Sequence, residues 1–171
     1  MKNPNTWPTL PIEITRPHVT LYYNGFRVDK EAKEIIKEYV DSLGKDISVI
    51  GYAYGNNGQN EGIAVQLPHG KIPYYGAKVQ HITISMAIGA KAVDTANLIY
   101  SRHNFTNFII NGKVGFYMED GEIIYSIEDA FGHGNVVYVG IFFDKEVLHN
   151  MSPEKILDYS LEQAMRLEFE D

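Results

Sequence analysis

The chain has 171 residues, of which 44% are hydrophobic, as is typical of one globular domain with a buried core. Its formal net charge of −7 argues against a protein that follows a long nucleic acid backbone, because such proteins displace counterions with a basic surface. The lack of cysteine excludes disulfides and thiolate chemistry and fits the cytoplasm, or the host cytoplasm if the protein is viral. No apolar run is long enough to cross a bilayer, and the first residues lack the apolar core of a secretory signal. We therefore expect a single domain over residues 1–171, with neither a membrane nor duplex DNA as partner.

Residues 1–17 are rich in proline and predict an extended arm. The predicted elements after the arm are a strand at 18–23, a helix from Asp29 to Gly44, strands at 47–54, 63–67 and 79–86, a short helix near 93–101, strands at 108–110, 113–118, 122–127 and 136–143, and a final helix from Ser152. Asn-Gly at 111–112 and Asp-Gly at 120–121 predict tight turns between the later strands. The order of elements predicts an α+β fold of two similar lobes.

A short pattern occurs twice, as Pro-His-Val-Thr-Leu at 17–21 and as Gln-His-Ile-Thr-Ile at 80–84. Successive side chains of a strand point to opposite faces, so His18 and Thr20 share one face, as do His81 and Thr83. The apolar residues between them are then buried behind that face. We expect the two motif strands to lie side by side at the centre of the fold, so that two imidazoles and two hydroxyls converge on one cleft.

This set of side chains suits phosphodiester chemistry. One imidazole activates a water or a hydroxyl, the other protonates the leaving sugar oxygen, and the hydroxyls donate to the phosphate oxygens. Two coupled histidines predict a bell-shaped pH–rate profile. The alternative is that both are half-buried strand histidines with satisfied hydrogen bonds. Neither motif has a second ligand at metal-binding spacing, so we expect no metal and no cofactor.

The paired motif resembles that of the two-histidine (2H) phosphoesterase superfamily. The segment after the second motif, Ile88-Gly-Ala-Lys-Ala-Val-Asp-Thr-Ala-Asn97-Leu, resembles the cyclic phosphodiesterase domain of fungal-type tRNA ligases and of viral Swiss Army Knife RNA-repair-like proteins. Those proteins typically carry Gly-x-Lys-Pro-Val-Asp/Glu-Ser-Asn at this point. Here Ala92 replaces the proline, and Ala96 is an additional residue.

The resemblance implies a bilobal fold, with two pseudo-symmetric antiparallel-sheet lobes, helices outside and a central cleft. It also implies a metal-independent phosphodiesterase whose catalytic residues are His18, Thr20, His81 and Thr83. Family members open 2′,3′-cyclic phosphates at RNA ends, cleave 2′-5′ oligoadenylates or, in phage anti-CBASS proteins, degrade cyclic di- and trinucleotide immune signals.

Further candidate substrate contacts are Tyr22, Ser85, Tyr74, Tyr75, Lys91 and Trp7. The first two continue the motif faces, the next two have rings able to stack on a base, and the lysine can meet a phosphate. The tryptophan either covers the cleft as a lid or anchors the arm to the body. For each of the six, packing or solvation is the alternative.

The sequence therefore predicts an enzyme whose substrate is a small cyclic nucleotide or an RNA 3′ end. The tRNA-ligase-like segment favours the RNA end, whereas the acidic charge favours a small nucleotide. A protein that binds nucleotides as a sponge, without cleaving them, is the alternative from another class. The sequence leaves the oligomeric state open.

Overall fold

The structure, a computed structural model, describes residues 7–23, 30–43, 46–68 and 79–152. Within these ranges the strands pair antiparallel and the helices are few and mostly short, which confirms the α+β prediction. The elements are β1 (Ile12–Glu13), β2 (His18–Tyr22), α1 (Lys30–Leu43), β3 (Ile47–Asn56), β4 (Asn60–Gln66), β5 (His81–Met86), a 3₁₀ helix (Ala92–Asn97), β6 (Phe108–Met118), β7 (Ile123–Ile124), α2 (Ile127–His133), β8 (Val136–Phe142) and α3 (Lys145–His149).

The strands form one sheet in the order β1-β5-β2-β8-β6-β3-β4, and β7 pairs with β6. Because β4 also pairs with β5, six of these strands close into a circuit. The two motif strands, β2 and β5, are neighbours in this circuit and pair at Val19 and Ile82. The sequence predicted this adjacency, and it brings the two halves of the chain together.

The core lies behind the motif strands and beneath α1. Val19 and Ile82, the residues between the histidine and the threonine of each motif, are fully buried, as the alternation predicts. Ile36 supplies the buried face of α1 at the predicted helical spacing. The predicted ends of that helix, Asp29 and Gly44, lie outside the described residues, as does the predicted final helix after Ser152.

Trp7 anchors the arm to the body. Its side chain is 3% exposed, its Nε1 donates to the backbone carbonyl oxygen of Leu148 at 3.0 Å, and its ring stacks on Tyr54 with centroids 5.6 Å apart. A ring held in this way has no free face to offer a ligand. The assignment of Trp7 as a substrate-binding lid is therefore wrong.

The predicted turn at Asn-Gly 111–112 is also wrong, because β6 runs without interruption through it. A Cβ on Gly112 would lie 2.6 Å from Cγ2 of Ile141 and 2.8 Å from the carbonyl oxygen of Phe142. The glycine is thus explained by the close approach of β8 and not by a turn. At the Asp-Gly pair, by contrast, Gly121 has a φ of +89°, as a turn requires.

The sequence did not predict the short helices α2 and α3. Only Ile123–Ile124 of the predicted strand 122–127 is a strand, and α2 begins at Ile127. The side chain of Ser126 accepts from the backbone N–H of Asp129, and Asp144 caps α3 in the same manner. The helix predicted near 93–101 is a shorter 3₁₀ helix.

Among the described residues, no helix has the length and apolar character to span a membrane.

Candidate active site

The four motif side chains line one cavity of about 550 Å³. Its walls are otherwise apolar or aromatic. The lining residues are His18, Thr20, His81 and Thr83 together with Ile14, Tyr23, Ala92, Val93, Ala96, Val137 and Tyr138. A mostly apolar pocket with a few convergent polar groups is typical of a small-molecule site.

The register of the two motif strands explains why these four side chains meet. Val19 of β2 pairs with Ile82 of β5 in an antiparallel ladder. In that register, His18 lies across from Thr83 and Thr20 lies across from His81, and opposite residues have Cβ atoms about 5 Å apart. Each histidine therefore faces the threonine of the other motif, so neither motif forms the site alone.

A bulge interrupts β2 directly after its threonine. Thr20 pairs with Gly140 of β8, but Tyr22 pairs with the next residue, Val139, so Leu21 is the extra residue of the bulge. The bulge turns Tyr22 into the core, where it is 7% exposed, and brings Tyr23 to the cavity wall, where it is 47% exposed. The assignment of Tyr22 as a cleft residue on the His18 face is therefore wrong, and Tyr23 takes that place.

The second motif strand carries the same irregularity. Thr83 and Ser85 pair with consecutive residues of β4, Gly62 and Glu61, which makes Ile84 the extra residue. Ser85 is fully buried, donates to Oε1 of Glu61 at 2.6 Å and accepts from the backbone N–H of Leu10. Its assignment as a substrate contact is wrong, because its hydroxyl joins the arm to the body.

Hydrogen bonds to the backbone fix both imidazoles in the same tautomer. Nδ1 of His18 lies 3.2 Å from the carbonyl oxygen of Arg16, and Nδ1 of His81 lies 2.9 Å from that of Val79. A carbonyl oxygen only accepts, so Nδ1 carries the proton in each neutral ring. Nε2 of each ring is left with its lone pair for proton transfer.

Both imidazoles are less basic than in water. Burial lowers the pKa of His18 to about 4; the hydrogen bond to the Arg16 carbonyl opposes this shift, and the nearby charge of His81 adds to it. Burial also lowers the pKa of His81, against the effect of its hydrogen bond to the Val79 carbonyl. Both rings are therefore neutral at pH 7 in the free protein, and the electrostatic effect of His81 on His18 reflects their proximity.

An aromatic ladder holds His18. Its ring stacks on Tyr138 with centroids 4.8 Å apart, and Tyr138 stacks on Tyr117 at the same distance. The rings of His18 and Tyr117 come from β2 and β6, the strands that flank β8 on opposite sides. Tyr138 thus stacks against His18 at the wall of the cavity. The sequence analysis did not single out Tyr138. It predicted the strand that carries this residue, but it did not predict that β2 and β6 lie on either side of that strand.

The other candidates contribute less to the cavity. Lys91 is exposed where the 3₁₀ helix begins, and its side chain is not among the lining residues, although the next two residues are. Tyr74 and Tyr75 lie outside the described residues. Thr95, which the sequence reasoning missed, is fully buried and lies 3.0 Å from the Thr83 hydroxyl oxygen.

Among the described residues, one group of possible metal ligands lies at the surface, and none of its members lines this cavity. Nε2 of His133 is 2.8 Å from Asp120 and 3.3 Å from Glu122. The hydrogen bond with Asp120 raises the pKa of His133 and lowers that of Asp120. A histidine that hydrogen-bonds Asp120 and lies beside Glu122 accounts for the arrangement.

The buried state of His18 predicts a pH dependence of stability. Its pKa is about 4 in the folded protein and 6.5 as an ordinary value, so the unfolded state binds more protons between these two pH values. The free energy of unfolding should therefore fall as the pH drops through this window, and this group should have no effect above it. Between pH 7 and pH 5, we expect the loss in His18→Asn to be smaller than in the wild type by roughly 2 kcal/mol, measured by urea unfolding. Equal losses in both proteins would contradict the buried neutral state.

No protein-family model, curated protein or solved structure matches the chain.

Proposed function

We propose that this protein is a metal-independent phosphodiesterase that cleaves a cyclic nucleotide phosphodiester by general acid–base catalysis with two histidines. The observation that carries the proposal is the convergence of His18, Thr20, His81 and Thr83 on one cavity. Two imidazoles with the same tautomer, each opposite a threonine hydroxyl, supply the groups that this reaction needs.

The related geometry of the two motifs supports a finer proposal about the fold. In each strand a one-residue bulge directly follows the threonine of the motif, and the two strands pair antiparallel through the middle of their motifs. A pseudo-twofold relation between two similar halves accounts for this repetition. We therefore propose the bilobal arrangement of 2H phosphoesterases, with the motif strands at its centre.

The proposed reaction is hydrolysis of one phosphorus–oxygen bond. Nε2 of one neutral imidazole takes a proton from water as the water oxygen attacks phosphorus. Nε2 of the other, protonated, imidazole gives its proton to the sugar oxygen as that oxygen leaves, which yields a phosphate monoester. The threonine hydroxyls donate to the non-bridging oxygens, where negative charge accumulates. Because the substrate is an anion, its binding raises the pKa of the adjacent rings and favours the protonated form of one of them.

Two substrate classes fit the site. A cavity of about 550 Å³ is of a size suited to a mononucleotide or to one end of an oligonucleotide. The net charge of −7 favours a small soluble substrate over a long RNA. We propose 2′,3′-cyclic phosphates as the leading substrate class. The alternative substrates are cyclic di- and trinucleotide signals, as degraded by phage anti-CBASS proteins.

Incubation of the purified protein with 2′,3′-cyclic AMP and, separately, with 3′,3′-cyclic GMP–AMP, both in EDTA, tests the proposal. We expect a phosphate monoester from at least one of them, detected by chromatography. Turnover of the first indicates action on RNA ends, and turnover of the second indicates degradation of immune signals. Binding without product would indicate a nucleotide sponge. A protein that neither binds nor cleaves either nucleotide would overturn the proposed function.

A further inference from the structure

The hydroxyl of Thr83 is held from behind by a second, buried threonine. Oγ1 of Thr83 lies 3.0 Å from Oγ1 of Thr95, which has no exposed surface. Thr83 lies at the cavity wall, whereas Thr95 lies behind it in the 3₁₀ helix. The two hydroxyls therefore form a pair, with one member facing the cavity and the other facing the protein.

Asn60 holds the inner hydroxyl of this pair in place. Its Nδ2 donates to Oγ1 of Thr95 at 3.1 Å and to the carbonyl oxygen of Lys91 at 2.8 Å. Both protons of the amide are then used, and Thr95 accepts from Asn60. In the unliganded structure the Thr83 hydroxyl donates to Oγ1 of Thr95. A hydroxyl rotates, so when a phosphate oxygen in the cavity accepts the proton of Thr83, the bond between the two threonines reverses and Thr95 donates to Thr83.

We propose that Thr95, held by Asn60, is a positioning residue that directs the hydroxyl of Thr83 at a non-bridging oxygen of the substrate phosphate. The inference rests on the proposed function and assigns it a further residue. With the phosphate bound, hydrogen bonds run from Asn60 to Thr95, from Thr95 to Thr83 and from Thr83 to the phosphate. Each bond polarises the next, so the last donor is stronger than an isolated threonine.

The surrounding structure accommodates Thr95 closely. A Cβ on Gly62 of β4 would lie 2.5 Å from Cγ2 of Thr95, so only glycine leaves room for this side chain. The hydroxyl of Tyr100 donates to the carbonyl oxygen of Thr95 at 2.8 Å and holds its backbone. Thr95 is thus fixed from β4 and from the segment after the 3₁₀ helix, as a precise donor requires.

The matched variants are Thr95→Val, which keeps the shape and removes the hydroxyl, and Thr95→Ser, which keeps the hydroxyl. We expect Thr95→Val to lower kcat/KM for the cyclic nucleotide by about tenfold, mainly through kcat, because the Thr83 donor matters most where charge develops. We expect Thr95→Ser to stay within about twofold of the wild type. If Thr95→Val does not fold, Thr95→Ala serves as the variant without the hydroxyl.

A double-mutant cycle with Thr83→Val separates this role from a purely structural one. If Thr95 acts through Thr83, its replacement should have little further effect on kcat/KM in the Thr83→Val background. The same loss in both backgrounds, or wild-type kcat/KM in folded Thr95→Val, would overturn the positioning role while leaving the phosphodiesterase in place. A wild-type protein without turnover would overturn both proposals.

Discussion

Replacing either motif histidine by asparagine is expected to lower turnover of the cyclic nucleotide by a factor of about 100 or more, because each replacement removes one proton-transfer group. Asparagine tests proton transfer more specifically than alanine does. Its side-chain N–H₂ can still donate to the carbonyl oxygen that Nδ1 contacts, at Arg16 for His18 and at Val79 for His81. The variant thus removes Nε2 and keeps the hydrogen bond that holds the side chain.

The matched control is His103→Asn, at an exposed histidine that does not line the cavity. We expect it to retain wild-type turnover. Initial rates should be measured on proteins whose circular dichroism spectra agree. Wild-type rates in His18→Asn or in His81→Asn would show that the replaced imidazole transfers no proton, and the two-histidine mechanism would be refuted.

The largest effect on stability is expected from Glu61→Ala. The Glu61 carboxylate is fully buried and accepts from the backbone N–H and the hydroxyl of Thr9 and from the hydroxyls of Tyr54 and Ser85. Its removal leaves the buried hydroxyls of Tyr54 and Ser85 without this acceptor, so we expect the free energy of unfolding to fall by about 2–4 kcal/mol. Urea unfolding at pH 7 provides the measurement.

Two further variants show whether the acceptor itself is responsible. Glu61→Gln keeps the shape and one acceptor oxygen, and the hydroxyl donors can turn to accept from its amide, so its loss should be intermediate. Glu119→Ala removes an exposed carboxylate that accepts from Asn135 and should change the free energy of unfolding by less than about 0.5 kcal/mol. Equal stability of Glu61→Ala and Glu119→Ala would contradict this account of the buried carboxylate.

The paired site was predictable because it depends on the simplest property of a strand. A period of two places His18 with Thr20 and His81 with Thr83, and both apolar residues between them are buried as expected. The closing of the cavity by Tyr138 was not predictable in this way. It depends on which strand lies beside β2, and that neighbour comes from the far end of the described chain.

The two failures at Tyr22 and Ser85 have one physical cause. Strict alternation places both on the faces of their motifs, but a bulge follows each threonine and changes the face on which the next residues lie. A bulge depends on the register with a partner strand, which one segment of sequence does not reveal. Tyr23 was missed for the same reason.

Gly112 and Ser126 illustrate a different limit. A glycine after an asparagine is typical of a turn, yet here it allows close contact between β6 and β8. The serine that caps α2 is followed three residues later by Asp129, a recognisable helix start that the strand prediction at 122–127 overrode. Local preferences therefore conflicted, and tertiary contacts decided between them.

The closed circuit of strands has a consequence for the durability of the protein. Both motif strands have a hydrogen-bonded neighbour on each side, β5 and β8 for β2, and β2 and β4 for β5. Unpaired strand edges are where proteins aggregate by recruiting a strand from another molecule. The strands that carry the histidines therefore have no open edge at which a strand of another molecule could pair.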